Sequence, residues 1–147
     1  MILYDYNTNI FRLDTDNTSY VIGLTDGKYV GHVYYGKRLA TTDLAYLLRI
    51  DEPPFVPSKN LREKVSFLDT YPMEYSFGGT GDFRESCITV TTEDGQQGLG
   101  LTYVGHRIYE GKESLNGLPV WIWTMRTLRC CRCMVRGRGS DIWSVCR

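Results

Sequence analysis

Tyr20-Val21-Ile22-Gly23-Leu24-Thr25-Asp26-Gly27-Lys28-Tyr29-Val30-Gly31-His32-Val33-Tyr34-Tyr35 decides the fold class of this chain. The first five residues are β-branched, aromatic or small, a composition that suits a pleated strand. Asp26-Gly27 then supplies two residues able to reach positive φ, as a two-residue hairpin loop requires. Tyr29 to Tyr35 continues as a second strand. The expectation is a hairpin, Tyr20–Leu24 against Lys28–Tyr35.

Outward from this hairpin the theme recurs. Ile2-Leu3-Tyr4 and Phe11-Arg12-Leu13 read as short strands on its amino-terminal side. On the other side, 87–92 (Cys-Ile-Thr-Val-Thr-Thr) has a strand pattern, Glu93-Asp94-Gly95 a turn, and Leu99–Tyr103 and His106–Tyr109 two further strands. Fifteen glycines and little helical periodicity support an all-β fold. Thr42–Arg49 is the one plausible helical turn, with Asp43 as its cap and Leu44, Leu47 and Leu48 following. Pro53, Pro54 and Pro57 make 51–60 a surface loop rather than a central strand. A long irregular segment of this kind inside a domain usually carries function or is disordered.

At 147 residues the chain has room for one domain. Hydrophobic residues make up 42% and charged residues 23%, a mix able to bury a core. The 17 basic and 17 acidic residues balance, which argues against nucleic-acid or membrane-surface binding by bulk charge. No apolar run approaches the ~20 residues of a membrane helix. The start, Met-Ile-Leu-Tyr-Asp-Tyr-Asn, lacks the basic and apolar regions of a secretory signal, so a cytoplasmic location is expected.

The averages hide a break at Pro119. All three Trp and four of the five Cys (Cys130, Cys131, Cys133, Cys146) follow it, whereas all 11 Tyr and all 5 Phe precede it. Residues 120–147 hold six Arg, no Lys and the single acid Asp141. Residues 1–119 therefore carry 11 basic and 16 acidic side chains, a formal net of −5. The division reads as a body over 1–119 and an atypical Arg/Cys/Trp-rich, irregular tail over 120–147.

Four segments in one order resemble the amino-terminal domain of the large microbial α-galactosidases of glycoside hydrolase family 36. They are 29–37 (Tyr-Val-Gly-His-Val-Tyr-Tyr-Gly-Lys), 66–70 (Ser-Phe-Leu-Asp-Thr) with Glu74-Tyr75, 78–84 (Gly-Gly-Thr-Gly-Asp-Phe-Arg), and 105–112 (Gly-His-Arg-Ile-Tyr-Glu-Gly-Lys) with 115–119. The resemblance implies an antiparallel β-supersandwich, present here in part, that precedes a catalytic (β/α)8 barrel. It also implies a cytoplasmic, often tetrameric enzyme that removes terminal α-galactose from sugars such as melibiose and raffinose.

Retaining glycoside hydrolysis needs two carboxyl groups about 5–5.5 Å apart. In the family these sit on the barrel, in Lys-Trp-Asp and Ser-x-Asn-x-Asp motifs, and neither motif occurs here. A barrel takes roughly 250 residues. No catalytic residue and no turnover by this chain alone are expected. By resemblance, the amino-terminal domain adds an Asp and an Arg to the sugar pocket. Asp51 matches the first; a carboxylate accepts from sugar hydroxyls. Lys64 aligns with the second, with Arg62 two residues earlier. Lysine lacks the planar fork of arginine, so this is a departure. The expected ligand is an α-galactoside held jointly with the barrel, with homo-oligomers a further possibility.

Each candidate has a plainer reading. Asp51, Arg62 and Lys64 can be solvated loop charges. Asp82 and Arg84, flanking Phe83, read first as a structural pair or turn cap. His32 and His106 read as hydrogen-bonded, half-buried histidines rather than metal ligands, because no further ligand stands at zinc spacing. The abundant Tyr can line a sugar platform but more often fill rim and core. The Cys-Cys-Arg-Cys cluster (130–133) has poor spacing for zinc, and no metal or cofactor is expected. An Arg-Gly nucleic-acid tail is disfavoured by its short length, and a third reading is an out-of-frame translation after Pro119: shifting by one base turns the Trp121–Ile122 and Trp123–Thr124 junctions into Asp codons. A rival function from another class is a stand-alone β-sandwich module for carbohydrate binding or interaction.

Overall fold

A computed structural model describes residues 1–40, 43–48, 68, 70–79, 84–89, 91, 95, 100–111, 129–136 and 142–146, the last two stretches by their backbone. Among the described residues, seven strands form two antiparallel sheets. The first runs β1 (Ile2–Asp5), β2 (Ile10–Asp14), β3 (Thr18–Thr25), β4 (Tyr29–Lys37), each strand beside the next. The second runs β5 (Thr102–Glu110), β6 (Arg129–Arg136), β7 (Ile142–Cys146). The all-β expectation holds.

The central hairpin forms, with Thr18–Thr25 against Tyr29–Lys37 and Lys28 in the loop rather than in the second strand. Asp26 and Gly27 have φ of 52° and 64°, the paired positive values of a type I′ loop, whose twist matches the strands it joins. Register is direct from Thr25↔Tyr29 to Ile22↔His32, then shifts between Val21 and Ile22. This bulge leaves Val33 as the extra residue of β4.

Both faces of the first sheet are covered, which explains why β3 is buried almost continuously instead of alternating. On one face Ile2, Phe11, Ile22 and Leu24 form a core with Tyr4, Leu13, Tyr20 and Val30. β5 closes it with Tyr103 and His106, whose rings lie 6.5 and 4.7 Å from that of Phe11. The Tyr103 amide also donates to the Lys28 carbonyl at 2.6 Å, joining β5 to the hairpin loop. On the other face Ile10 and Val21 pack with Leu44, Leu48 and Val33. At the end of that face the buried Asp14 accepts from Ser19 Oγ (2.6 Å) and Arg12 Nε (2.9 Å), and Arg12 also donates to the carbonyls of Leu39 and Ala40. Burial pushes the Asp14 carboxyl up, but these donors and the Arg12 charge outweigh it and hold it below the ordinary 3.8.

Three expectations are corrected. The helical turn shrinks to a 3-10 turn at Ala45–Leu47, with Asp43 Oδ1 accepting from the Ala45 amide at 2.9 Å. Among the described residues of 87–92 there is an isolated bridge, Phe77↔Ile88, in place of a strand. The two segments expected at 99–103 and 106–109 are one strand, β5, kinked by a register shift between Tyr103 and Gly105.

The tail is not irregular throughout either. β6 pairs along the whole of β5, and β7 pairs along β6. The physical reason lies in β5, which would otherwise present an open row of amides and carbonyls. The register also reveals a period-2 division that composition hides. Cys131, Cys133 and Val135 of β6 share one face with Trp143 and Val145 of β7, and Arg132, Met134 and Arg136 share the other with Ser144.

Candidate functional site

Gly23 and Gly31 stand directly opposite each other in the β3–β4 ladder. Directly opposed residues project to the same face, so the pair leaves a hollow on the face bearing Val21. Larger groups fill it. A Cβ on Gly23 would meet Leu48 Cδ1 and, at 2.7 Å, Ile10 Cδ1. One on Gly31 would lie 2.6 Å from Tyr71 Cζ and 2.9 Å from Leu48 Cδ2. Tyr71 is 1% exposed; its hydroxyl donates to Thr25 Oγ1 at 2.9 Å and lies 3.3 Å from the Tyr29 carbonyl. Burial raises its phenol above the ordinary 10.0.

Leu68, also buried, packs on Tyr71, and Leu48 joins the same cluster. The chain therefore leaves at Leu48 and returns at Leu68 to one anchor point over the glycine pair. Arg84 fixes the return, donating to the carbonyls of Leu68 and Tyr71. Arg84 thus holds backbone in place, while its expected pairing with Asp82 falls outside the described residues. Asp51, Arg62 and Lys64, the residues expected to meet sugar, fall between the two anchors and also lie outside the described residues. Neither their mutual placement nor that of the proline-rich 51–60 stretch is described.

Both histidines are half-buried; the His106 ring is hydrogen-bonded, whereas the His32 ring has a carboxylate neighbour at ion-pair distance. His32 Nδ1 is 3.4 Å from Oε2 of Glu74, a half-buried residue whose other oxygen accepts from the Tyr20 hydroxyl. The His32 amide donates to Pro72 O at 2.7 Å and the Glu74 amide to Val30 O at 3.0 Å, so the 71–77 segment covers the edge of β4. His106 Nδ1 lies 2.6 Å from the Tyr103 hydroxyl. Burial lowers its basicity below the ordinary 6.5. Among the residues whose side chains are described, no three His, Cys, Asp or Glu gather as a metal site, and no described helix is long and apolar enough to cross a membrane.

Sequence reasoning missed the anchor. Both glycines were visible, but their meaning depends on cross-strand register and on which distant side chain fills the space. The resemblance, by contrast, can be compared with known proteins directly. The pattern of the family described as "Glycosyl hydrolase family 36 N-terminal domain" matches residues 28–135, most of the chain. The chain belongs to this family. The match runs past Pro119 and through most of β6.

Among curated relatives, α-galactosidase AgaA of Geobacillus stearothermophilus is 36% identical over 118 residues, covering 80% of this chain and 16% of its own. The bifunctional α-galactosidase/sucrose kinase AgaSK of Mediterraneibacter gnavus is 32% identical over 82% of this chain and 13% of its own. The chain thus spans about a sixth or less of the length of these relatives. Of solved structures, the galactosidase domain of AgaSK superposes with a TM-score of 0.82 at 26% identity, covering 99% of this chain and 21% of that one. That share is too large to leave out β6 and β7. An AgaA variant in complex with raffinose gives 0.68 at 27% identity, over 93% of this chain and 21% of its own.

Proposed function

We propose that this chain serves as the non-catalytic amino-terminal domain of a cytoplasmic α-galactosidase acting on terminal α-D-galactose of oligosaccharides such as melibiose and raffinose. The family match across residues 28–135 carries this reading. It is supported by a fold shared with a relative whose structure holds raffinose. All 147 residues together fall short of the roughly 250 that a (β/α)8 barrel takes, so the reaction belongs to a partner portion. In this reading Asp51 accepts hydrogen bonds from galactose hydroxyls, while Arg62 and Lys64 donate to the sugar at the pocket mouth. The domain also contributes to homo-oligomer contacts.

The first test is an assay of the 147-residue chain with a chromogenic α-galactoside. No turnover above buffer is expected, and measurable turnover would overturn the non-catalytic assignment. The second replaces the matching domain of Geobacillus AgaA with this chain, residues 1–147, which keeps β6 and β7 on β5. Asp51→Ala in that chimera is expected to raise KM roughly tenfold or more, the loss of one charge-assisted hydrogen bond. An unchanged KM would remove Asp51 from the pocket. Sequencing the gene beyond codon 119 tests the out-of-frame reading of 120–147: an overlapping downstream frame encoding a barrel is its expected signature.

A further inference from the structure

One side chain serves two backbone carbonyls beside the glycine pair. The Arg84 guanidinium donates through Nη2 to the Leu68 carbonyl and through Nη1 to that of Tyr71. Its planar fork lets a single arginine span both acceptors, where a lysine would meet one at a time. Arg84 is itself braced. Ser76 Oγ donates to the Glu85 carbonyl at 2.9 Å, and the Cys87 amide donates to the Ser76 carbonyl at 3.0 Å. The clamp therefore ties Leu68 and Tyr71 to the 84–87 stretch through side chain and backbone together.

What the clamp holds bears on the proposed sugar residues. Leu68 and Tyr71 pack with Leu48 in one cluster, and Tyr71 and Leu48 both crowd Gly31. Leu48 and Leu68 bracket residues 49–67 in sequence. A chain advances at most about 3.6 Å per residue, so Asp51 lies within about 11 Å of Leu48 and Lys64 within about 14 Å of Leu68. Slack at the anchor is thus passed to those two residues over only three or four positions.

We propose that Arg84 is a positioning residue for galactoside binding. By clamping the Leu68 and Tyr71 carbonyls it fixes the point from which Lys64 and Arg62 are held, and, through the Tyr71–Leu48 cluster, the point from which Asp51 is held. It touches no sugar. The inference rests on the reading of Asp51, Arg62 and Lys64 as sugar contacts. Misplacing such contacts weakens substrate and transition state alike, which raises KM and leaves kcat unchanged.

The test has two arms. In the 147-residue chain, hydrogen exchange reads the amides of His32, Met73 and Glu74, which bond to the carbonyls of Pro72, Tyr71 and Val30 beside the clamp. Arg84→Met is expected to speed their exchange at least tenfold and to leave Val21 and Ile22 in β3 unchanged. In the Geobacillus chimera, Arg84→Met is expected to raise KM at least fivefold at constant kcat, and Arg84→Lys to raise it less. Where Asp51 is already alanine, Arg84→Met should add less than it does alone, because coupled residues are not additive. Exchange that stays the same, or rises equally across β3, overturns the clamp whatever Asp51 does. Faster exchange with an unchanged KM, or a fall in kcat, overturns the positioning role. A normal KM for Asp51→Ala, with exchange behaving as expected, sinks the sugar reading and the positioning role with it, and leaves the clamp.

Discussion

A methyl group on Gly31 would lie 2.6 Å from Tyr71 Cζ and 2.9 Å from Leu48 Cδ2, closer than carbon atoms tolerate. The site cannot absorb it without moving buried rings, and overpacking of this kind costs about 1–3 kcal/mol. Gly31→Ala is expected to lower the unfolding free energy by that amount, read as a lower urea midpoint at unchanged slope. Tyr71→Phe removes only the hydroxyl and leaves the buried Thr25 without that partner. Its expected cost is about 1–2 kcal/mol, measured in the same way. None of this was legible at positions 23 and 31 themselves. A glycine in a strand pattern announces a close approach or a bulge, but which one depends on residues 48 and 71, remote in sequence. The sugar residues differ again: Asp51, Arg62 and Lys64 were named through family resemblance, and local physics alone left them as loop charges.

At the level of elements, the β3–β4 hairpin was legible because its determinants are local: β-branched strands and a loop that only Asp-Gly chemistry suits. Gly27 has φ of +64° and nothing near its missing Cβ, so Gly27→Ala isolates backbone strain from crowding. About 1–2 kcal/mol is expected for an L-residue held in that conformation, read from thermal or urea unfolding. A loss as large as that at Gly31 combined with a changed slope would instead mean a rearranged loop. The second sheet was less legible. Cys87 to Thr92 has the composition of a strand, yet Ile88 makes a single bridge to Phe77. β6 has the composition of a tail, yet pairs along β5. In both cases the decisive fact is whether a partner edge lies alongside, and no window of sequence contains its partner.

Across the whole molecule, the aromatic layer of Tyr4, Phe11, Tyr103 and His106 is where the two sheets meet. His106 is less basic in the fold than its ordinary 6.5 because burial disfavours its charged form. The unfolded chain therefore binds more protons at this residue. This contribution to stability is complete above the unfolded value and is lost as pH falls below about 6.5 toward the folded value. Urea midpoints measured from pH 8 to 5 should fall over that window, and His106→Gln should flatten the fall. Equal slopes in the two proteins would exclude His106 as its source. Asp14, held low by Arg12 and Ser19, releases its share only in far more acidic solution.

The hollow over Gly23 and Gly31 makes positions 23, 31 and 48 a single unit of inheritance. Enlarging Gly23 calls for less bulk at 48 and 10 together, and enlarging Gly31 for less bulk at 71 and 48 together, so no single change makes room. Viable homologues should therefore trade bulk between the ladder and the side chains packed over it, so that paired libraries recover combinations that single-site scans discard.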